Sequence, residues 1–426
     1  MYKEINKMRK SIRLLTGVLL LFVFMIFLMG CRKQIKSKNL LSGVVAEKVS
    51  GKVLNQTFLD SQFSLSLNLF KESVNESLNE NVLISPLSVA LALAMTGNGA
   101  DGVTKSQMEE FLGGGITMDD LNEYLYTYVN SLPSGSNYKL NIANSIWYRD
   151  QEERLKVYDS FLQKTVNYYD AELYKSPFDD TTLSDINNWV DKNTDGMIKK
   201  ILDKIDPDHI MFLINAIVFD AKWNIPYKKD DVNPNKFTDI NGDLKDVTMM
   251  KSNEIDYIFD DYAKGFIRPY KDEKYSFAAL LPNEGVSIYE YINLLTKESL
   301  TNTLNNYERT EVTAFTPKFS YSYEIEMSDL LQKLGINDAF DPMSADFSKM
   351  GKSSAGNIFI GDVLHKTYIS VDEKGTKAAA VTKIGMKETA VDPFSEKIIK
   401  LDRPFVYMII DNQTKLPIFI GVLVTV

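Results

Sequence analysis

Glu373-Lys374-Gly375-Thr376-Lys377-Ala378-Ala379-Ala380-Val381-Thr382 is the stretch on which the reading of this chain turns. Val363 to Asp372, just before it, is rich in strand-forming residues, and Gly375 supplies backbone freedom where the chain has to bend out of a sheet. At the strand period of two, Thr376, Ala378, Ala380, Thr382, Ile384 and Met386 share one face, while Lys377, Val381, Lys383 and Lys387 share the other. One face is uncharged and, near the glycine, small; the other is largely wet. A segment of this kind is able to leave solvent and slot between two existing strands, since inward side chains larger than Ala or Thr near the hinge would clash in the opening.

Outward from this stretch, the chain reads as a mixture of helices and strands. Phe58, Leu59, Phe63, Leu67, Phe70, Val74 and Leu78 recur at helical spacing and predict an amphipathic helix. Ser85-Pro86-Leu87-Ser88 opens a second, apolar helix with a hydroxyl and a proline as start signals. Tyr138 to Tyr148 alternates as a strand with one partly polar face, through Leu140, Ile142, Asn144 and Ile146. Met211 to Phe219 is a nearly unbroken apolar run, a strand buried on both faces, so Asn215 within it needs partners. Phe405 to Asp411 and Leu416 to Val424 read as two buried strands joined at Asn412-Gln413-Thr414.

With those elements in place, the chain resembles a serpin of the inhibitory kind from Phe58 to Val426, the quoted stretch matching the proximal hinge of the reactive-centre loop. The resemblance implies an α+β fold: several helices around a large central β-sheet, two smaller sheets and an exposed reactive-centre loop. It gives the hinge as Glu373, Gly375, Thr376, Ala378, Ala379, Ala380 and Thr382. Ser85 and Ser88 match buried serines beneath the main sheet, and Asn215 and His365 match residues that tie neighbouring strands where they must later part. Trp223 matches the aromatic at the top of the sheet, and Lys318 matches a lysine that pairs with Glu373. Leu334-Gly335-Ile336 and Ala345-Asp346-Phe347-Ser348 also resemble the family, whereas Lys374 and Lys377 stand where its hinge is usually acidic. Loop length places the scissile bond at Thr389–Ala390; Lys387 would instead suit a trypsin-like protease, and Met386 is a third possibility.

At the other end, Met1 to Arg13 is basic, Leu14 to Gly30 almost wholly apolar, and Leu28-Met29-Gly30-Cys31 follows. This reads as a signal peptide over 1–30, with Cys31 as the lipidated residue of a bacterial lipoprotein, although Met29 is a less usual residue there. An uncleaved membrane anchor and an ordinary secretory signal are the alternatives. Residues 31–57 read as a flexible tether and 58–426 as one serpin domain, held off a membrane of the bacterial envelope on its non-cytoplasmic side. With the lone cysteine at position 31, no disulfide framework is available. The net charge is −9, and removing residues 1–30 takes away five basic residues and one acidic, leaving −13. An acidic chain argues against nucleic-acid binding.

Several motifs fail on inspection. Asp191 to Gly196 opens like a calcium loop, but position twelve is Leu202 where a bidentate Glu is needed. Gly351-Lys352-Ser353 lacks the upstream glycine of a phosphate loop, where Asp346 stands. Two histidines, His209 and His365, and one committed cysteine assemble neither a metal cluster nor a thiol–imidazole pair, so no cofactor or metal is expected. The resemblance implies a monomeric suicide inhibitor of serine proteases, with some cysteine proteases as cross-class targets, and no catalytic residues of its own. A serpin-fold carrier that does not inhibit, and a lipid-anchored solute-binding protein, are the competing functions. The small inward residues Thr376, Ala378 and Ala380 argue against the carrier, and the continuous strand-rich body against the two-lobed binding protein.

Overall fold

The computed structural model describes residues 35–133, 135–150, 155–205, 211–354, 356–376 and 397–426. Its centre is a seven-stranded sheet made of β1 (Lys38–Asn39), β2 (Tyr138–Arg149), β3 (Glu172–Ser176), β4 (Met211–Lys222), β5 (Phe319–Glu326), β6 (Asp362–Val371) and β7 (Gly375–Thr376). Across the sheet the order is β1-β3-β2-β4-β7-β6-β5. The apolar run in β4 has the predicted cause. Met211, Leu213, Ile217, Phe219 and Ala221 join the main core on one face, while Phe212, Ile214 and Ala216 join a second core on the other. That second core lies under helix α3 (Asp180–Asn193), which contributes Ile186, Trp189 and Val190.

On the main-core side lie helix α1 (Gln56–Glu76), the apolar helix α2 (Pro86–Gly97) and a second sheet. The residues of α2 are buried throughout, as its sequence lacks any charged face. The two smaller sheets expected from the sequence share one long strand, Leu244–Phe259, so their ladder is continuous across nine strands. Phe405–Asp411 and Pro417–Leu423, towards one end of that order, are wholly buried. A third sheet of two strands pairs Gly351–Ser353 with Leu155–Val157. Among the described residues, no helix is long and apolar enough to cross a membrane.

One sequence expectation is corrected here. From Ile35 onward the segment read as a flexible tether is docked, and α1 begins inside it at Gln56. Lys36 and Ser37 donate their amides to the Asp185 carboxylate at 2.9 and 2.7 Å, and the Ser37 hydroxyl adds a third bond at 2.7 Å. β1 then pairs antiparallel with β3, with Lys38 opposite Lys175. The reason is edge chemistry: β3 presents open backbone groups at the border of the sheet, and a polar chain passing beside it satisfies them. Leu41 packs into the main core, and Asn55 caps α1 by accepting from the Phe58 amide.

Asp185 is 2 % exposed, and each bond to its carboxylate is worth about 1.5–3 kcal/mol. Asp185→Ala is therefore expected to raise amide exchange over 36–41 by tenfold or more while leaving the nine-stranded sheet protected. Unchanged protection in that segment would show that the carboxylate does not hold it.

Candidate functional site

The hinge enters the sheet through two residues. Gly375 pairs with Lys222 and Thr376 with Ala221 on β4, while Thr376 also faces Val371 on β6. Gly375 is required for a different reason than bending: its φ is not in the left-handed region, but a Cβ there would lie 2.0 Å from the Ala221 carbonyl oxygen. It is a close-approach glycine, and any side chain would push β7 off β4.

Thr376 is 2 % exposed, and its hydroxyl shares a 2.6 Å hydrogen bond with the Tyr270 hydroxyl. The Tyr270 ring stacks flat on Trp223, with centroids 4.6 Å apart and planes 7° apart, and burial raises its phenol pKa. Trp223, 1 % exposed, donates its indole N–H to the Asp372 carbonyl at 2.8 Å and its amide to the Lys374 carbonyl at 2.9 Å. The Tyr227 amide donates to the Glu373 carbonyl at 3.0 Å. The turn before the hinge is closed by Asp372, whose carboxylate accepts from the Lys374 and Gly375 amides. Lys318 Nζ meets Glu373 Oε2 at 2.6 Å, and this bond holds the Glu373 carboxyl below its usual range. Both side chains are about one-third exposed, so the pair contributes about 0–1 kcal/mol. Arg268, 4 % exposed, lies over both Trp223 and Tyr227 and is paired with the buried Glu254.

Lower in the sheet a second polar cluster lies between β4 and α2. Asn215 donates to the Ser88 carbonyl at 3.0 Å and to the Asn144 side chain on β2, and it accepts from the Ser88 hydroxyl. Asn215 and His365 are opposed across the direct β4–β6 pairing, yet they do not bond to one another. His365 Nε2 instead accepts from the Ser85 amide at 3.2 Å, while its Nδ1 and the Ser85 hydroxyl have no partner. Ser85 stands at the N-cap of α2 without capping it through its side chain. Apart from the Asn215–Asn144 bond between β4 and β2, these polar groups tie strands to the elements beneath, and none bonds β4 to β6. The hydroxyl of Thr367, also on β6, adds a link to the Leu83 carbonyl at 2.7 Å.

The sequence named Ser85, Ser88, Asn215, His365, Trp223, Lys318, Glu373, Gly375 and Thr376, and all of them fall in these two clusters. It missed Asn144, Tyr227 and Tyr270. Asn144 had a signal, a polar residue in the inward register of an otherwise apolar alternation. Tyr270 had none, because only the fold carries the strand end at Pro269 next to Trp223. Ala378, Ala379, Ala380, Thr382, Met386, Lys387, Thr389 and Ala390 lie outside the described residues, as do Cys31 and His209.

The family described as Serpin (serine protease inhibitor) matches residues 60–426. An uncharacterised serpin-like protein of Thermococcus kodakarensis is 32 % identical over 370 residues, covering 84 % of this chain and 83 % of its own. The crystal structure of a thermophilic serpin, tengpin, in the native state is similar with a TM-score of 0.88 at 48 % identity, covering 92 % of this chain and 100 % of that one. Tengpin in the latent state gives a TM-score of 0.78 at 46 % identity, covering 88 % of this chain and 100 % of that one.

Burial drives the His365 pKa down from 6.5 to about 4. The imidazole thus takes a proton more readily in the unfolded chain than in the folded one. The stability it contributes is complete above about pH 6.5, falls as pH drops, and is gone below about pH 4, a loss of about 3 kcal/mol. Urea unfolding at about pH 7 and about pH 4 is expected to reveal that component in the wild type and not in His365→Gln, which retains only the acid sensitivity of the carboxylates. Identical pH slopes for the two proteins would refute it.

Proposed function

The chain belongs to the serpin family, and from that premise we propose that it is a suicide inhibitor of serine proteases, trapping the protease as an acyl-enzyme when the cut loop inserts into the seven-stranded sheet. The observation that carries this reading is the position of Gly375 and Thr376, already seated in the strand slot between β4 and β6. Direct β4–β6 pairing covers only Phe212–Ala216 and Asp362–Lys366, so the insertion site is a wedge with its open end at the hinge. The loop residues that would follow Thr376 inward are Ala378, Ala380 and Thr382, small enough to enter without displacing either core.

Insertion at the same register moves one residue back along β4 for each residue added, since Thr376 faces Ala221. Met386 would then face Met211, the first residue of β4, and Thr389–Ala390 would emerge just past the end of the sheet. Ten residues at roughly 3.3 Å each carry an attached protease on the order of 30 Å or more. Displacing catalytic groups by about 1 Å already costs roughly a hundredfold in rate, so compression against the far pole stops deacylation. A dozen or so new strand hydrogen bonds at about 1 kcal/mol each supply the drive. Some cysteine proteases fit the same chemistry, because they also form an acyl-enzyme. The basic and apolar N-terminal segment ending at Gly30-Cys31 supports secretion and lipid attachment, which puts the inhibitor on a bacterial membrane outside the cytoplasm.

Incubation with trypsin-, elastase- and subtilisin-like proteases is expected to give a boiling-resistant adduct on denaturing electrophoresis, and the mass of the released peptide identifies the scissile bond. Thr376→Arg, which puts a long charged side chain where 2 % exposure is observed, should convert the inhibitor into a substrate that is cut without adduct. Clean cleavage of the wild type by every protease class would favour a serpin-fold carrier. Undiminished adduct yield from Thr376→Arg would rule out trapping by insertion.

A further inference from the structure

We infer that Arg268 is a positioning residue for loop insertion: its guanidinium fixes the turn after β4, and that turn in turn holds the backbone of Glu373 and Lys374 at the hinge. This rests on trapping by insertion, proposed above. The turn has little packing of its own. Ile225 is 73 % exposed, and residues 224–228 line a cavity of about 490 Å³ together with residues 251–254 of the long strand Leu244–Phe259. The hinge nevertheless hangs on it, through the Trp223 amide to the Lys374 carbonyl and the Tyr227 amide to the Glu373 carbonyl.

One buried cation stands in for the missing packing. Arg268 Nη2 donates to the Ile225 carbonyl at 2.6 Å, and the guanidinium carbon lies 4.0 Å from the centre of the Tyr227 ring and 4.9 Å from that of Trp223. Nη1 is paired with Glu254 on the long strand, which holds the cation from its other edge. A separate pair of bonds fixes only the first residue of the segment, from the Asn224 amide to the Pro269 carbonyl at 3.1 Å and from its side chain to Glu273 at 2.9 Å. From Ile225 to Tyr227, therefore, the turn is tied to the strand Ala263–Pro269 through Arg268. The other charged residues of the cavity wall, Lys228, Lys251 and Asp231, form no ion pair among the described residues, so they do not share this task.

Global stability does not account for the pair. The two side chains are 5 % and 6 % exposed, and burial raises the Glu254 pKa against the pull of Arg268. Desolvation thus offsets the attraction, and buried pairs of this kind are often replaced by apolar residues without loss of stability. What apolar residues cannot reproduce is a planar fork that serves a carboxylate and a carbonyl at once while its face lies on two rings, and neither can lysine. The fork fixes where the Glu373 and Lys374 carbonyls sit, and with them the register in which Thr376 faces Ala221. A loop that starts from a preset register inserts at once. A slack hinge inserts later, and more of the acyl-enzyme is hydrolysed first.

The test compares the full chain with two variants. Arg268→Met combined with Glu254→Met removes the pair without leaving a lone buried charge, and Arg268→Lys keeps the charges balanced but loses the fork. Amide exchange at Trp223 and Tyr227 is expected to rise roughly tenfold in both, the weight of one hydrogen bond to a charged group, while the nine-stranded sheet stays protected. With a protease that gives an adduct, the ratio of adduct to loop-cut product should fall several-fold in both variants. A merely structural residue would lower the unfolding midpoint and the protection of the whole molecule and leave that ratio unchanged. Wild-type exchange at 223 and 227, or a wild-type ratio in both variants, overturns the role of Arg268 while leaving the inhibitory reading intact. A wild type that is cut by every protease without adduct overturns the inhibitory reading, and the exchange measurement alone then decides whether Arg268 holds the hinge.

Discussion

The structure depends on a pair of strands that touch at one end only. β4 and β6 are parallel neighbours from Phe212 to Ala216 and from Asp362 to Lys366, and beyond that point Gly375 and Thr376 hold them apart. A parallel ladder that closes at one end and is wedged at the other cannot be relaxed by side-chain repacking, because both faces are dry. The main core presses on one side and the second core, under α3, on the other. Any gain in hydrogen bonding along this line has to come from new backbone in the slot.

What keeps the slot from closing or filling is modest in energy and specific in position. The hinge seat consists of one shared hydroxyl bond between Thr376 and Tyr270, two backbone bonds from Trp223 and Tyr227, and a half-solvated ion pair between Lys318 and Glu373. The aromatic stack of Trp223 on Tyr270 gives these bonds a rigid floor. Further down, the polar groups are fastened to α2: Asn215 to Ser88, His365 to the Ser85 amide, Thr367 to the chain before the helix. β4 and β6 are each fastened to what lies beneath and not to one another by side chains, so parting them breaks no side-chain bond between the two.

Much of this was legible in the sequence, and the boundary of legibility has a physical cause. Runs whose environment is uniform announce themselves. The apolar stretch of β4 and the two C-terminal strands from Phe405 to Leu423 are buried on both faces, and their composition says so. Gly375 stands out in the sequence as a bend, but a sequence does not distinguish a glycine needed for its φ from one needed for the backbone 2.0 Å from its missing Cβ. The docked segment after Ile35 has the composition of a tether, polar and short of aromatics. Its fixation comes from one buried carboxylate, Asp185, and one open strand edge, both more than a hundred residues away. Tyr270 and Tyr227 were invisible for the same reason, since their roles exist only where the end of one strand meets the turn after another.

The placement of the charged groups follows from the same geometry. Lys374, where an acidic residue is usual, costs the hinge little, because its amide and carbonyl are what the turn uses: the amide goes to Asp372 and the carbonyl to Trp223. Glu373 is different, since its carboxylate is bound by Lys318 on the neighbouring loop and its carbonyl by Tyr227. The side chain thus pulls towards the strand that ends at Glu326 while the backbone pulls towards the segment after Trp223, on opposite sides of the slot. Glu373 thus touches both sides of the slot without entering it, one side through a backbone bond and the other through an ion pair worth about 0–1 kcal/mol, while the spacing itself is kept by Gly375 and Thr376 seated between the strands.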